Sequence, residues 1–262
     1  MGKSGCQKGL SCFMHRFFVS EEQIRDDLVI IKGNDYNHIV NSLRLNPGDK
    51  LIVCPGNCRD YVATIEEIKE NQITGKIIKE YKNRNEPSLN ITLAQALPKK
   101  RKMDLVIQKA TEIGVRSIIP LKTTRTIVRL NKKKERKKTD RWQKIAKEAA
   151  KQSGRGRIPT VERVYSLKEL TQFKSNFDLI IIPWEEEQGK NLKNVLSTVN
   201  VSEISKILVI IGPEGGFPPE EIKFIEQLGG IPITLGPRIL RTETAGLVVL
   251  TMLLYESGDL GG

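Results

Sequence analysis

From Met14 to about Lys82 short apolar and β-branched runs, each bounded by polar turn residues, carry strand signals. The runs are 27–31, 50–54, 60–65 and 72–78, with turns at Asn46-Pro47-Gly48-Asp49 and Pro55-Gly56-Asn57. This pattern predicts a small β-barrel, interrupted by one helix at 36–43 that carries His38. The polar, proline-bearing stretch Asn83-Arg84-Asn85-Glu86-Pro87-Ser88 has no apolar period, so a domain boundary is placed between a unit of 14–84 and one of 88–262. Beyond it the pattern changes. Short β-branched runs at 90–97, 116–121, 177–182, 206–211 and 231–235 read as buried strands. Between them, 100–113 repeats Met103, Val106, Ile107, Ala110 and Ile113 at helical spacing, with Gly114 as its stop. Further helices are predicted at 140–152 and 167–173. Alternating strands and helices point to an α/β fold, a parallel sheet covered on both faces. The last helix, 245–255, is apolar on nearly every face, which predicts a central core helix or, in part, a subunit interface.

Two Gly/Pro-bearing loops follow strands of this second unit: Ile211-Gly212-Pro213-Glu214-Gly215-Gly216-Phe217, and Leu235 through Gly236, Pro237, Arg238, Ile239, Leu240, Arg241, Thr242, Glu243 and Thr244 to Ala245. In open α/β sheets ligands bind outside the carboxyl ends of strands. Glycine there lets the backbone approach a ligand closely. Pro218-Pro219-Glu220-Glu221 opens a helix after the first loop, and Gly229-Gly230 closes it. The first loop is not a P-loop, because no Gly-Lys-Ser/Thr follows, and GxGxxG is absent throughout. Alone it reads as a plain glycine-rich strand-to-helix turn; the second loop makes it half of a ligand site.

Charge adds a partner. Forty-three Lys and Arg against 31 Asp and Glu leave +12, which suits a polyanion but also an ordinary solvated surface. Basic character concentrates in Lys99-Lys100-Arg101-Lys102, in 132–138, and in Arg155-Gly156-Arg157; the 132–138 run reads as a solvated loop. Cys6, Cys12, Cys54 and Cys58 stand without zinc-ligand spacing, so no metal is expected and the thiols read as reduced, although a Cys54–Cys58 bridge across the turn is conceivable. No run approaches the roughly 18 apolar residues of a membrane span, and a cytoplasmic protein without membrane contact is expected. Residues 1–13 are unpatterned and precede a second natural start at Met14, so they are read as a disordered extension.

The ordered set Met14-His15-Arg16-Phe17-Phe18, Glu148-Ala149-Ala150-Lys151-Gln152-Ser153-Gly154-Arg155, 211–217 and 235–245 resembles the SPOUT-class RNA methyltransferases, specifically the RsmE-type enzymes that methylate a uridine of 16S ribosomal RNA at ring N3. The resemblance covers nearly everything from Met14 onward. It implies a PUA-like barrel followed by a trefoil-knotted α/β domain, working as a homodimer with S-adenosylmethionine as cofactor. Short, unthreaded connections are the general rule, so the knot rests on the resemblance alone. Carried over, Leu93, Gly212, Glu214, Gly215, Leu235, Gly236, Ile239, Leu240, Thr244 and Ala245 fall at the cofactor. The partner is small-subunit ribosomal RNA, within the assembled 30S subunit.

Methyl transfer to a uracil nitrogen asks for alignment, water exclusion, a proton acceptor and a cation beside the ring oxygens. Arg241 is the first candidate for the cation, its alternative being a salt bridge to Glu243 or another acid. Glu214 and Glu243 are candidates to face the sulfonium or take the proton, and either equally suits a helix cap, with Thr242 or Thr244 as the N-cap residue. Both histidines, His15 and His38, fall in the barrel and are assigned no role. For RNA, Arg16, Arg155, Arg157, Lys100 and Arg101 are the expected phosphate contacts, on an unpaired or flipped-out base. Two other readings stay open: a SPOUT enzyme for another base or ribose 2′-hydroxyl, and a non-catalytic RNA-binding or ribosome-assembly protein.

Overall fold

The computed structural model describes residues 14–199 and 204–261; the 1–13 extension, with Cys6 and Cys12, lies outside the described residues. The chain forms two compact units, one running to Glu86 and including Ala150–Ile158, the other holding Pro87–Ala149 and everything from Pro159.

In the first unit, β1 (Arg16–Phe18), β2 (Ile24–Arg25), β3 (Leu28–Lys32), β4 (Lys50–Cys54), β5 (Arg59–Lys69) and β6 (Gln72–Lys82) make one sheet in the order β1-β4-β5-β6-β3-β2. β1 lies parallel to β4, and the remaining pairs are antiparallel. Alternation sends Val29, Ile31, Leu51, Val53, Ala63, Ile65 and Ile73 into one core with Phe17 and Ile39. Register shifts at Val62/Ala63 and Ile65/Glu67 bend the long β5. The helix expected at 36–43 is one α-turn, α1 (Asn34–Asn37), continued by a π-helix over His38–Leu43.

The second unit contains β7 (Asn90–Ala96), α2 (Lys102–Ile113), β8 (Ser117–Lys122), α3 (Lys132–Gln152), β9 (Thr160–Val161), β10 (Tyr165–Ser166), β11 (Leu179–Pro183), α4 (Leu192–Ser197), β12 (Lys206–Ile211), α5 (Pro219–Gln227), β13 (Gly230–Ile233) and α6 (Thr242–Glu256); the last three residues of α3 group with the first unit. Its sheet is parallel throughout, in the order β10-β8-β7-β12-β11-β13, with β9 beside β8. Central strands β7 and β12 are buried almost end to end, as a sheet covered on both faces requires. Gly114 ends α2 at φ +128, where an added Cβ would come within 2.6 Å of Pro87 Cγ, so only glycine fits.

Three expectations are corrected. The basic run 132–138 is not a loop but the first two turns of α3, opened by Asn131, whose Oδ1 accepts from Lys134 N at 2.9 Å. Its apolar stripe, Trp142, Ala146, Ala149 and Ala150, starts ten residues into the helix, so the pattern hid the beginning. The 167–173 segment is a 3-10 helix spanning Leu167–Asn176. Last, α6 is not buried all round: Val249, Leu250, Leu253 and Leu254 are enclosed, while Met252 and Tyr255 are exposed. The sequence pattern also missed the short β2, which pairs with β3, and the short α4, which starts on Asn191 with its side chain accepting from Asn194 N.

Candidate active site

Three connections leave the carboxyl ends of adjacent strands β11, β12 and β13 and enclose a cavity of about 1020 Å³, at the top of the roughly 300–1,000 Å³ range of small-molecule sites. After β12, Gly212 lies so close to the Phe217 ring that a Cβ would sit 3.1 Å from it. Phe217, 1% exposed, anchors the far end of this first loop in the core. Gly216, at φ +65, lies under the Glu185 carboxylate, and a Cβ there would come within 1.8 Å of Glu185 Oε1. The conformation therefore favours glycine, while the Glu185 carboxylate is the end of an exposed side chain that could move aside. After β13, the second loop turns through Gly236 at φ +98 and presents Leu235, Pro237, Arg238, Ile239, Leu240 and Arg241 to the cavity. The backbone amides of Leu235, Ile239 and Leu240 have no hydrogen-bond partner among the described residues.

The second loop closes on the first through Thr242. Its Oγ1 donates to the Gly212 carbonyl at 2.5 Å and accepts from Gln95 Nε2 at 2.8 Å, so β7, β12 and α6 meet at one hydroxyl. Thr242 is thus not the N-cap expected from the sequence; Arg241 occupies that position, without a side-chain cap. From the other side, Arg125 Nη1 donates to the Gly215 carbonyl at 2.8 Å, and buried Glu221 accepts from Thr124 N and Oγ1 at 2.7 and 2.8 Å.

Of the expected site residues, Gly212, Glu214, Gly215, Leu235, Gly236, Ile239, Leu240, Arg241 and Ala245 line the cavity. Leu93 does not: it is fully buried in β7, against Gly246 of α6. Thr244 is exposed on the outer side of α6, and Glu243 lies behind the wall. Arg241 has no ion-pair partner among the described residues, so the alternative salt bridge to Glu243 is not formed. Glu243 pairs instead with Lys102 at 3.1 Å, and Lys102 also stands 3.8 Å from Glu214. Burial pushes the Glu243 carboxyl upward, but its own backbone amide, Lys102 and Arg241 together hold it below the usual carboxylate range. Glu214 Oε1 accepts from Lys99 N at 2.9 Å.

The arginines expected at phosphates are placed differently. Arg16 reaches buried Asp60 with both terminal nitrogens, Nη1 to Oδ2 at 2.8 Å, and Asn83 Nδ2 donates to the same Oδ2 at 2.8 Å. Arg155, 2% exposed, donates to Glu86 through Nε at 3.1 Å and Nη2 at 2.7 Å, while the amides of Gly156 and Arg157 donate to Glu86 Oε1. Both guanidinia, expected to hold phosphate, are turned inward onto carboxylates. Arg157 is half-buried, its Nε 2.8 Å from Cys58 Sγ. Lys100 and Arg101 are exposed. Cys54 and Cys58 are free thiols, and burial pushes Cys54 up to about 11. Among the described residues no group of three His, Cys, Asp or Glu side chains is placed to hold a metal ion.

Sequence reasoning passed over Trp184, Glu185, Gln95 and Arg125, and it read Lys102 only as part of a basic segment, not as a residue of the cavity. Trp184 and Glu185 follow β11, and the strand-end rule that singled out the two glycine loops applies equally there. Trp184 Nε1–H is buried with no acceptor among the described residues, on a side chain that lines the cavity. Gln95 is a fully buried amide in the apolar second half of β7, a sign of a polar junction. Nothing local marks Arg125.

The chain matches the family described as RNA methyltransferase domain over residues 84–254, and the RNA methyltransferase PUA domain over 31–78. It is 34% identical over 254 residues to the ribosomal RNA small subunit methyltransferase E of Bacillus subtilis, covering 95% of this chain and 99% of the relative. The enzyme of the same name from Mesomycoplasma hyopneumoniae is 35% identical over 243 residues, covering 93% and 100%. A Neisseria gonorrhoeae ribosomal RNA small subunit methyltransferase E, solved bound to S-adenosylmethionine, superposes with a TM-score of 0.81 at 30% identity, covering 93% of this chain and 98% of that one.

Proposed function

The chain belongs to the ribosomal RNA small subunit methyltransferase E family, and from that premise we propose that it transfers a methyl group from S-adenosylmethionine to ring N3 of a uridine in small-subunit ribosomal RNA. It is an S-adenosylmethionine-dependent RNA methyltransferase with ribosomal RNA as substrate. The observation that supports this reading is the cavity at the ends of β11, β12 and β13, whose wall holds backbone amides and an indole N–H without partners among the described residues, and two arginines, Arg238 and Arg241, that join no ion pair there. Those donors suit a cofactor with a heteroaromatic base and ribose oxygens.

When bound, the cofactor supplies an electrophilic methyl on a sulfonium. The amides of Leu235, Ile239 and Leu240 hold its adenine edge, and Leu235, Ile239, Leu240 and Ala245 cover it. Gly212 and Gly215 let the first loop lie flat against the rest, with Glu214 facing the positive sulfur. Leu93 and Thr244 act from behind: Leu93 packs on Gly246 and fixes the start of α6, and Thr244 belongs to its first turn. Arg241 stands free at the cavity edge to stabilise the charge that the uracil ring acquires as N3 loses its proton. Glu243 and Glu214, both beside Lys102, are the two carboxylates placed to face the sulfonium or to take the proton.

Exposed Lys100 and Arg101, with Arg157, are the proposed phosphate contacts, while Arg16 and Arg155 keep the first unit in shape. The outer face of α6, with Met252 and Tyr255 exposed, and Leu105 on neighbouring α2 suit a second copy of the chain, hence a homodimer. The trefoil threading is part of the same proposal, supported by the way Thr242 is fastened to Gly212 and Gln95. No helix among the described residues is long and apolar enough to cross a membrane, and work on the assembled 30S subunit would put the enzyme in the cytoplasm.

The test is label transfer from S-adenosylmethionine to small subunits taken from cells lacking the endogenous enzyme, followed by digestion and mass spectrometry of the nucleosides. Label in 3-methyluridine is the expected result. Label in another nucleoside or a ribose 2′-O-methyl group discards the N3 assignment, and cofactor binding without transfer to any RNA supports a non-catalytic role.

A further inference from the structure

A second, smaller cleft of about 50 Å³ lies between the turn after β7, the start of α2 and the exposed side of α3. Four of its lining side chains are cationic, Lys100, Arg101, Lys138 and Arg141, against one carboxylate, Asp104. That carboxylate is already engaged: it is ion-paired with Arg141 and accepts from Trp142 Nε1 at 3.2 Å. Lys138 stands over the Trp142 ring, 5.7 Å from its centroid, so its ammonium is held at the cleft by the aromatic face. Arg141, pinned by Asp104, keeps donors to spare.

Two features show that this charge is kept against local preference. Lys100 adopts φ +59, a left-handed conformation that a non-glycine side chain rarely takes. On α3, Lys132, Lys133 and Lys134 occupy the first turn, where the positive end of the helix dipole repels them. Both break a local preference, and rule-breaking of this sort concentrates where function asks for it. The cleft is also joined to the cofactor cavity by one short segment: Lys99 N binds Glu214 of the first loop, and Lys102 lines the cavity while pairing with Glu214 and Glu243.

We infer that this cleft is a phosphodiester-binding site that holds the RNA strand beside the target nucleotide, with Lys100, Arg101, Lys138 and Arg141 as its cations and α3 extending the path through Lys137 and Lys134. The inference rests on the RNA methyltransferase reading above. It shifts the main electrostatic contact from the glycine-arginine segment at 153–157 to helix α3. Phosphate binding here positions the strand without reading its sequence. Lys138 and Arg101 are positioning residues, remote from the methyl group.

Filter binding of end-labelled, in vitro transcribed small-subunit ribosomal RNA, at salt from about 50 to 200 mM, tests this directly. Arg101→Ala and Lys138→Ala are each expected to weaken RNA binding about fivefold to tenfold and to lower the slope of log Kd against log salt by roughly 0.7–0.9. Lys138→Arg restores both, Lys193→Ala on α4 changes neither, and calorimetric affinity for S-adenosylmethionine is unaltered in all. An unchanged slope in both alanine variants overturns the inference while leaving the function standing. Loss of cofactor affinity in parallel with RNA affinity also overturns it, because it marks a folding defect. A wild-type protein that binds neither this transcript nor assembled small subunits overturns the inference and the RNA-substrate reading together.

Discussion

Two glycine- and arginine-bearing segments, 153–157 in the first unit and 235–241 in the second, look alike in composition but hold their guanidinia in opposite ways. Arg155 is fastened to Glu86, and Arg16 makes a second such pair with Asp60 of β5, which also accepts from Asn83. Arg241 and Arg238 face the cavity, and no carboxylate pairs with either among the described residues. The difference lies in what the fold places opposite. Where a buried carboxylate is waiting, arginine becomes a strut, because an unpaired charge in that position would be costly. Where the neighbouring carboxylates, Glu214 and Glu243, are claimed by Lys102, arginine is left for a ligand.

The contrast breaks most visibly at Asp60. Asp60→Ala leaves Arg16 buried and unpaired, and is expected to destabilise the first unit by about 3–5 kcal/mol, read as a lowered denaturant midpoint. A loss below 1 kcal/mol would make that pair ornamental. Next comes Arg155→Met: Glu86 keeps the amides of Gly156 and Arg157, so the expected loss is about 2 kcal/mol, in the range of a hydrogen bond to a charged group. Methyl transfer per folded molecule should be retained. Thr242→Val sharpens the other side. It strands the Gly212 carbonyl and the Gln95 amide, each buried polar group costing about 1 kcal/mol or more, and the two loops should separate enough to weaken cofactor binding, measured by calorimetry.

The smallest effect is in pH. Folded Cys54 keeps its proton up to about 11, chiefly through burial, against an ordinary value of 9.0. A folded pKa above the unfolded one favours the folded state fully below pH 9, and that advantage is lost as pH climbs toward 11. Melting of the first unit should therefore soften over this window, and Cys54→Ala should flatten the change.

The strands and both glycine loops could be read from the chain because their causes are local: a run of β-branched residues, a turn, a helix-start proline after Pro218. Helix α3 was half hidden, since a helix whose first ten residues carry no apolar stripe has no periodicity to show, and Asn131 is a weak signal without one. The arginine pairs were hidden altogether. Arg16 and Asp60 are 44 residues apart, Glu86 and Arg155 are 69 apart, and such partnerships leave no local trace. Resemblance pointed to the right segments yet not to which way their side chains turn. Trp184 was readable in principle, since β11 ends beside β12 and β13.

The most direct measurement is a paired assay of Arg241→Ala and Arg155→Met, each scored for methyl transfer to small subunits, for S-adenosylmethionine affinity and for thermal midpoint. The account predicts that Arg241→Ala loses transfer by about 10²–10³-fold, the magnitude of removing one preorganised charge-stabilising donor, with cofactor affinity and midpoint unchanged. It predicts that Arg155→Met lowers the midpoint and spares transfer per folded molecule. The reverse pattern, with transfer lost in Arg155→Met and intact in Arg241→Ala, would contradict it.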